Sequence, residues 1–469
     1  MNFTKPPRTN KSLGLSHLHL VNFRCFDDLR ISFHENLTVI VGGNGQGKTA
    51  TLDAIAAALG PFVGGFDDGK DCYFKRDDIR LIRAPGSNRM ELADGGIKLY
   101  AKGSIGYHEL PWSRELSGPK SRTTRKDAQL LTQFAKKLQS QVRIEADGNT
   151  TGTCLPIVAY YGTDRLWNIR RSPYKPLPRT SRMVGYTHCL ESGSDFHLMA
   201  EWFRYWSYTS FERRLKAQQE GTLIAPSEAD NALEAVRTAI NLCLKPSDWG
   251  DIDFSIERQE IVARHPQQGE LPVGMLSDGI RSMLTLVADI AFRTVKLNPN
   301  LGPFAATNTD GIVLIDEVDM HLHPAWQQTV LLSLREAFPR IQFVVTTHSP
   351  QVLTSVDSGS IRIIENESDP GTGRPRMVVN SGFSQTKGVA SSDLLAKIMD
   401  VNPIPPVEEA KWVRDYTAMI ENGAHESAEG QSLRTKLMDF YGPTHPILLD
   451  ADRLIRFQNF KLRKSASAT

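Results

Sequence analysis

No run of about 18 apolar residues occurs in the chain, so no segment reads as a membrane-spanning helix. The N-terminus is polar and basic without an apolar core, which excludes a signal peptide as an expectation. Cysteine is scarce. Cys25, Cys72, Cys154, Cys189 and Cys243 are odd in number, scattered, and form no CxxC pair. That excludes a disulfide framework and a structural zinc site, and fits free thiols in a reducing cytoplasm. No internal repeat is present. Net charge is only +2, so the overall balance names no polyanionic partner. What remains is an ordinary globular composition, 40% hydrophobic and 23% charged, in 469 residues, enough for two or three domains.

Charge is uneven along the chain. Between Ala101 and Arg182 stand 15 Lys/Arg against 6 Asp/Glu, a local excess of +9. Such a stretch suits a polyanion or a solvated face. Within it, 117–126 is a basic polar loop leading into a helix expected over Ala128–Val142, and 170–182 is rich in proline and arginine. Two helices follow, over Phe196–Gln219 and Ala229–Leu244. The first carries Trp202, Phe203, Tyr205, Trp206, Tyr208 and Phe211, a pattern that suits helix packing better than base stacking. Earlier, short β-like runs at Ile97–Ala101 and Ser104–Tyr107 are divided by glycine-rich turns. Beyond Asn380 the chain reads as mostly helical, with Pro403, Pro405 and Pro406 marking a boundary.

One stretch carries chemistry by itself. Val39 to Thr49 fits G-x-x-x-x-G-K-[ST], with Gly42, Gly47, Lys48 and Thr49 in the fixed places. Leu37–Val41 before it is a buried-strand pattern. The run Ala50–Leu59 after it reads as a helix that stops at Gly60. Backbone N–H groups around Asn44, Gly45 and Ala50, at the positive end of a helix dipole, suit a phosphate chain. Lys48 is expected on the β/γ-phosphates of ATP and the Thr49 hydroxyl on Mg²⁺.

Four further segments complete a nucleotide machine. Gly311–Ile315 is an apolar strand ending in Asp316 and Glu317, the Walker B pattern: Asp316 for Mg²⁺, Glu317 as general base for water. Leu276-Ser277-Asp278-Gly279-Ile280-Arg281 resembles the LSGGQ signature of ABC-type ATPases, keeping Ser277 and Gly279 and departing at Asp278 and Ile280. An N-cap would look the same in isolation. His348 ends the strand pattern Val344–Thr347, 31 residues after Glu317, where a switch histidine would contact the γ-phosphate. Arg24, in Asn22–Phe26, resembles the N-terminal arginine of RecF, Rad50 and SMC-type ATPases that approaches nucleotide. No clear Q-loop glutamine is present; the turn 160–165 is the positional candidate.

These segments, with Asp77–Arg80, Tyr160–Trp167 and Ile315–Pro324, resemble the stand-alone RecF/OLD-like AAA ATPases with an ABC-type head, the group that includes the PtuA ATPase of the Septu anti-phage system and of some retrons. The tail from Ser384 through Leu394–Met399 resembles PtuA as well. The expected fold is therefore α/β: an ABC-type P-loop NTPase head, a mixed sheet with an antiparallel N-terminal β part, a helical insertion and a helical C-terminal tail. The expected organisation is 1–115 and 251–380 for the two halves of the head, 116–250 for the basic loop and insertion, and 381–469 for a partner-binding tail. The resemblance implies a cytoplasmic ATPase that forms a homodimer or higher oligomer and controls a small HNH nuclease partner, PtuB-like, with DNA as the target. In the family, the signature binds the nucleotide held by the opposite protomer. Asp278 would then set a carboxylate near phosphate and weaken closure.

Two alternatives stand beside this, and a third is a nucleotide-sensing scaffold that binds ATP and turns it over slowly. One is a RecF-like repair ATPase acting on DNA directly. The other is an OLD-type ATPase-nuclease, whose Toprim metal site would need Glu365 with Asp450 and Asp452. Asp450-Ala451-Asp452 lies in a helical pattern without strand context, and no His-Asn-His pattern is present, so this chain is expected to cut nothing by itself. The cluster Arg453, Arg456, Phe457, Phe460, Lys461, Arg463 and Lys464 reads as a solvated amphipathic helix or a partner surface.

Overall fold

The computed structural model describes residues 11–84, 88–146, 152–163, 181–191, 196–222, 225–368, 375–382 and 385–466. It divides into two compact units, Met1–Leu394 and Leu395–Thr469.

The larger unit is built on a six-stranded sheet in the order Pro375–Asn380, Ile361–Ser368, Leu37–Gly42, Ile341–Thr346, Gly311–Ile315, Ile157–Tyr161. All neighbours are parallel except the first pair. The strands Gly311–Ile315, Ile341–Thr346 and Ile157–Tyr161 are buried at every position. Covering on both faces explains why they read as unbroken apolar runs rather than alternating ones. The strand order places the carboxyl ends of Leu37–Gly42, Ile341–Thr346 and Gly311–Ile315 side by side. Ligands of parallel α/β sheets bind outside such ends.

A second, antiparallel sheet runs Phe26–Ser32, Leu13–Phe23, Ile97–Ile105, His108–Leu116. The N-terminal antiparallel pair is thus half of a four-stranded sheet. The two expected runs near residue 100 are one strand, Ile97–Ile105, folded back on His108–Leu116. Gly103 does not break it: a Cβ there would strike the Gly14 carbonyl, so glycine serves the close approach of two strands. Three further antiparallel strands, Gly250–Ser255, Glu260–His265 and Gly269–Pro272, form a small sheet of their own.

The helix after the P-loop runs Lys48–Val63, past Gly60 and through Pro61. The expectation that it stops at Gly60 is corrected, and the reason is visible. Pro61 lacks the N–H that would bond the Ala57 carbonyl. Arg114 Nη1 donates to that carbonyl instead, at 2.6 Å, and Trp112 Nε1 donates to Ala58 O at 3.0 Å. Gly60 is needed for packing, since a Cβ there would collide with the Asp71 carboxylate. Arg114, fully buried, pairs with Asp71 at 3.0 Å. The antiparallel sheet is thereby bolted to the P-loop helix.

The insertion holds helices Phe196–Glu220 and Glu228–Leu244. The second starts at a capping box, with Asp230 N donating to Ser227 Oγ at 3.2 Å and Ser227 N to Asp230 Oδ2 at 2.8 Å. Trp202 and Phe203 are core residues, whereas Tyr205 and Phe211 are half exposed. After the Walker B segment come two short helices, Pro324–Gln327 and Val330–Ala337.

The smaller unit contains helices Glu408–Glu421, Ala428–Tyr441 and Pro446–Ala466 around Tyr416, Ile420, Leu437, Leu448 and Ala451. Arg434 ties them by pairing with Asp452 at 2.7 Å and donating to Tyr416 Oη at 3.2 Å. Asp450 pairs with Arg453 on the same helix. Neither acid stands at a strand end, as a Toprim site would require. The side chains of Lys461, Arg463 and Lys464 lie outside the described residues.

Candidate nucleotide site

The P-loop leaves the central strand at Gly42 and enters its helix at Lys48. Gly45 and Gly47 have φ of 78° and 88°, in the left-handed region. At Gly47 a Cβ would also run into Phe26 and Cys25, so glycine is required twice over. Lys48, 7% exposed, folds back over the loop and donates from Nζ to Gly42 O at 2.9 Å and Gly43 O at 3.0 Å. Burial holds its amine below the ordinary lysine range, opposed by the charges of Asp316, Glu317 and Asp319.

Thr49 Oγ1 donates to Asp316 Oδ2 at 2.7 Å. Asp316 is almost fully buried, and its other oxygen accepts from Thr346 Oγ1 at 2.5 Å. Thr346 Oγ1 also accepts from the Glu317 N–H at 2.8 Å. Glu317 has φ of 47°. A non-glycine residue in that region is a strained turn, typical of functional positions. It bends the chain sharply where the Walker B strand ends.

Arg24, Cys25, Asn44, Gly45, Gly47, Lys48, Thr49, Ala50, Asp316, Glu317 and His348 line one cavity of about 340 Å³. Gly42 contributes its carbonyl to Lys48 from behind the loop. Ser277, Asp278 and Gly279 do not line this cavity. Ser277 occupies the N-cap position of helix Asp278–Leu297, but its hydroxyl makes no capping bond. Asp278 is ion-paired with Arg281 one turn on. A Cβ on Gly279 would strike the carbonyl of His321, fixing the signature turn against the segment that follows Walker B.

Arg24 is held in a cage of acids. It pairs with Asp53 of the P-loop helix, and Nε donates to Asp78 at 2.8 Å. Tyr160 Oη donates to the other oxygen of Asp53 at 2.9 Å. Burial, then the charges of Asp53 and Asp316, pushes the Tyr160 hydroxyl far above the usual tyrosine range. Asp53, Asp78 and Thr346 carry no assigned role in the sequence, and Tyr160 stands only within the candidate Q-loop segment. Asp53 stands one helical turn after Thr49, and Thr346 two residues before His348; those spacings were the available signals. Of the Q-loop candidate, Asp164 and Arg165 lie outside the described residues.

The donor set fits Mg²⁺: a hydroxyl and a carboxylate, hard oxygens beside a cation-lined phosphate cradle. Among the described residues no cluster of three or more His, Cys, Asp or Glu could hold a metal by itself. No described helix is long and apolar enough to cross a membrane.

Residues 17–238 match a family described as an AAA domain. Residues 233–354 match one described as an AAA domain, putative AbiEii toxin, Type IV TA system. The chain is 27% identical to the Retron Vc95 probable ATPase of Vibrio cholerae serotype O1 biovar El Tor, over 91% of this chain and 87% of that protein. It is 24% identical to the Retron Ec83 probable ATPase of Escherichia coli, over 93% and 86%. It is 40% identical to the Septu protein PtuA of Bacillus mycoides (strain KBAB4), over 20% of this chain and 12% of that one.

Proposed function

We propose that this chain, an ABC-type AAA ATPase related to PtuA and to the retron ATPases, works in anti-phage defence by ATP-dependent dimerisation that controls a partner nuclease. The observation that supports the reading is the separation of two sets of motif residues within one chain. Lys48, Thr49, Asp316, Glu317 and His348 meet in one cavity, while Ser277 and Gly279 stand outside it at a helix start whose cap hydroxyl is unused.

Lys48 exchanges the Gly42 and Gly43 carbonyls for the β/γ-phosphates. Thr49 and Asp316 would hold Mg²⁺, which would neutralise phosphate charge when bound. Glu317, placed by its left-handed turn, takes the proton of the attacking water, and His348 contacts the γ-phosphate. The amides at Ser277–Gly279 of a second copy close over that phosphate. The oligomer is thus a homodimer or a multiple of one. We further propose that residues 381–469 serve a small HNH nuclease of the PtuB-like kind, that DNA is cut by that partner and not by this chain, and that the setting is the cytoplasm.

Sedimentation of Glu317→Gln with ATP and Mg²⁺ tests the dimer: it shifts to twice the mass, and Lys48→Ala does not. DNA cutting by this chain alone with Mg²⁺ would overturn the division of labour and favour the OLD-type alternative. ATP turnover stimulated by DNA without any partner would favour the RecF-like one.

A further inference from the structure

A second cavity, also about 340 Å³, opens where helices Phe196–Glu220 and Glu228–Leu244 meet the last turn of Asp278–Leu297. Two tryptophans form one wall. Trp202, 2% exposed, is packed edge-on against Phe292 at 5.2 Å between ring centroids. Trp206, half-buried, stands 6.0 Å from Trp202. Facing them is Lys296. Among the described residues no hydrogen bond or ion pair holds its ammonium. Burial lowers the amine to about 8, with the Glu228 carboxylate acting in the opposite sense. The other cation of the wall, Arg182, is committed to the Leu297 and Thr153 carbonyls, at 2.6 and 2.5 Å.

A half-buried ammonium with no hydrogen bond or ion pair among the described residues is a group that a bound anion would stabilise. Trp202 is closed off by its own packing and tilted 45° from Trp206, so the half-buried Trp206 is the indole that offers its face to a planar ring. Asn231, Asn300 and Glu228 add an amide edge and a carboxylate at the rim, suited to the donors and acceptors of a base. We propose that this cavity takes a nucleotide unit, its base against Trp206 and its phosphate on Lys296. The unit comes either from a free mononucleotide or from single-stranded nucleic acid. The site is separate from the P-loop and does not depend on the ATPase reading.

The test uses the full chain carrying Lys48→Ala, which silences the P-loop, titrated with AMP and separately with a ten-residue oligodeoxyadenylate, read by tryptophan fluorescence. Saturable quenching is expected with at least one probe; saturation by the oligonucleotide alone assigns the site to nucleic acid, and by AMP to the free nucleotide. Adding Trp206→Ala weakens binding roughly fivefold or more, and Trp206→Phe retains most of it. Lys296→Met weakens AMP but leaves adenosine unchanged, a split that a packing defect would not produce. Absence of saturation with both probes overturns the proposal, as does equal affinity in the parent, Trp206→Ala and Lys296→Met proteins.

Discussion

Thr49 Oγ1 donates to Asp316 Oδ2 at 2.7 Å, joining residues 267 positions apart. The contact fixes the P-loop helix to the end of the Walker B strand, and Thr346 completes it on the far oxygen. Asp316→Asn should lower ATP turnover by about a hundredfold or more, because it removes the anionic metal ligand while keeping the shape. Thr346→Val leaves the Asp316 oxygen and the Glu317 N–H without their shared partner. It should cost about 1–3 kcal/mol in denaturant unfolding and reduce turnover as well.

Lys48 is positioned by two backbone carbonyls and destabilised by burial, so its ammonium gains by moving to phosphate. Lys48→Ala should weaken ATP binding by roughly tenfold or more in a fluorescent-nucleotide titration, with the thermal unfolding midpoint preserved. Lys48→Arg should fail too, since a planar fork does not fit the pocket of a point charge.

Gly47 and Gly279 serve different neighbours. Gly47→Ala forces a Cβ toward Phe26 and Cys25 at a φ of 88°, and should abolish nucleotide binding. Gly279→Ala meets the His321 carbonyl and the Leu322 backbone, residues that do not line the P-loop cavity. It should leave ATP binding to the monomer within about twofold and abolish ATP-induced dimerisation. Nucleotide titration and sedimentation separate the two outcomes.

The signature helix is anchored by a buried charge network. Asp289 Oδ2 accepts from Tyr161 Oη and Arg293 Nε, each at 2.7 Å, and Arg293 Nη1 donates to Gly185 O at 2.9 Å. Asp289→Ala strands a buried guanidinium and should cost about 3–5 kcal/mol. Tyr161→Phe removes one hydrogen bond and should cost about 1 kcal/mol. Denaturant titration distinguishes these. Since Tyr161 ends the strand paired with Ile315, Tyr161→Phe should also slow turnover more than it weakens ATP binding.

Much of this was legible in the sequence, for a physical reason. Asp316, Glu317 and His348 follow the ends of buried parallel strands, where apolar runs stop abruptly at polar residues, and Lys48 and Thr49 open the helix after a glycine-rich turn of fixed spacing. The helix end at Gly60 was misread because glycine and proline are local stop signals. A distant guanidinium, Arg114, satisfies the carbonyl that Pro61 leaves open, and no local rule contains it. Arg24 was visible as a motif residue, but its cage of Asp53 and Asp78 required the fold. Thr346 was hidden inside an apolar strand as one hydroxyl among β-branched neighbours.

The central claim is a site shared between two copies, and mixing tests it most directly. Lys48→Ala and Ser277→Arg proteins are each expected to be inactive in ATP hydrolysis. Mixed at equal concentration, they should regain turnover, because Lys48 of one variant meets Ser277 of the other in one of the two composite sites. Failure to regain activity on mixing, with wild-type turnover per chain independent of protein concentration, would contradict the shared site.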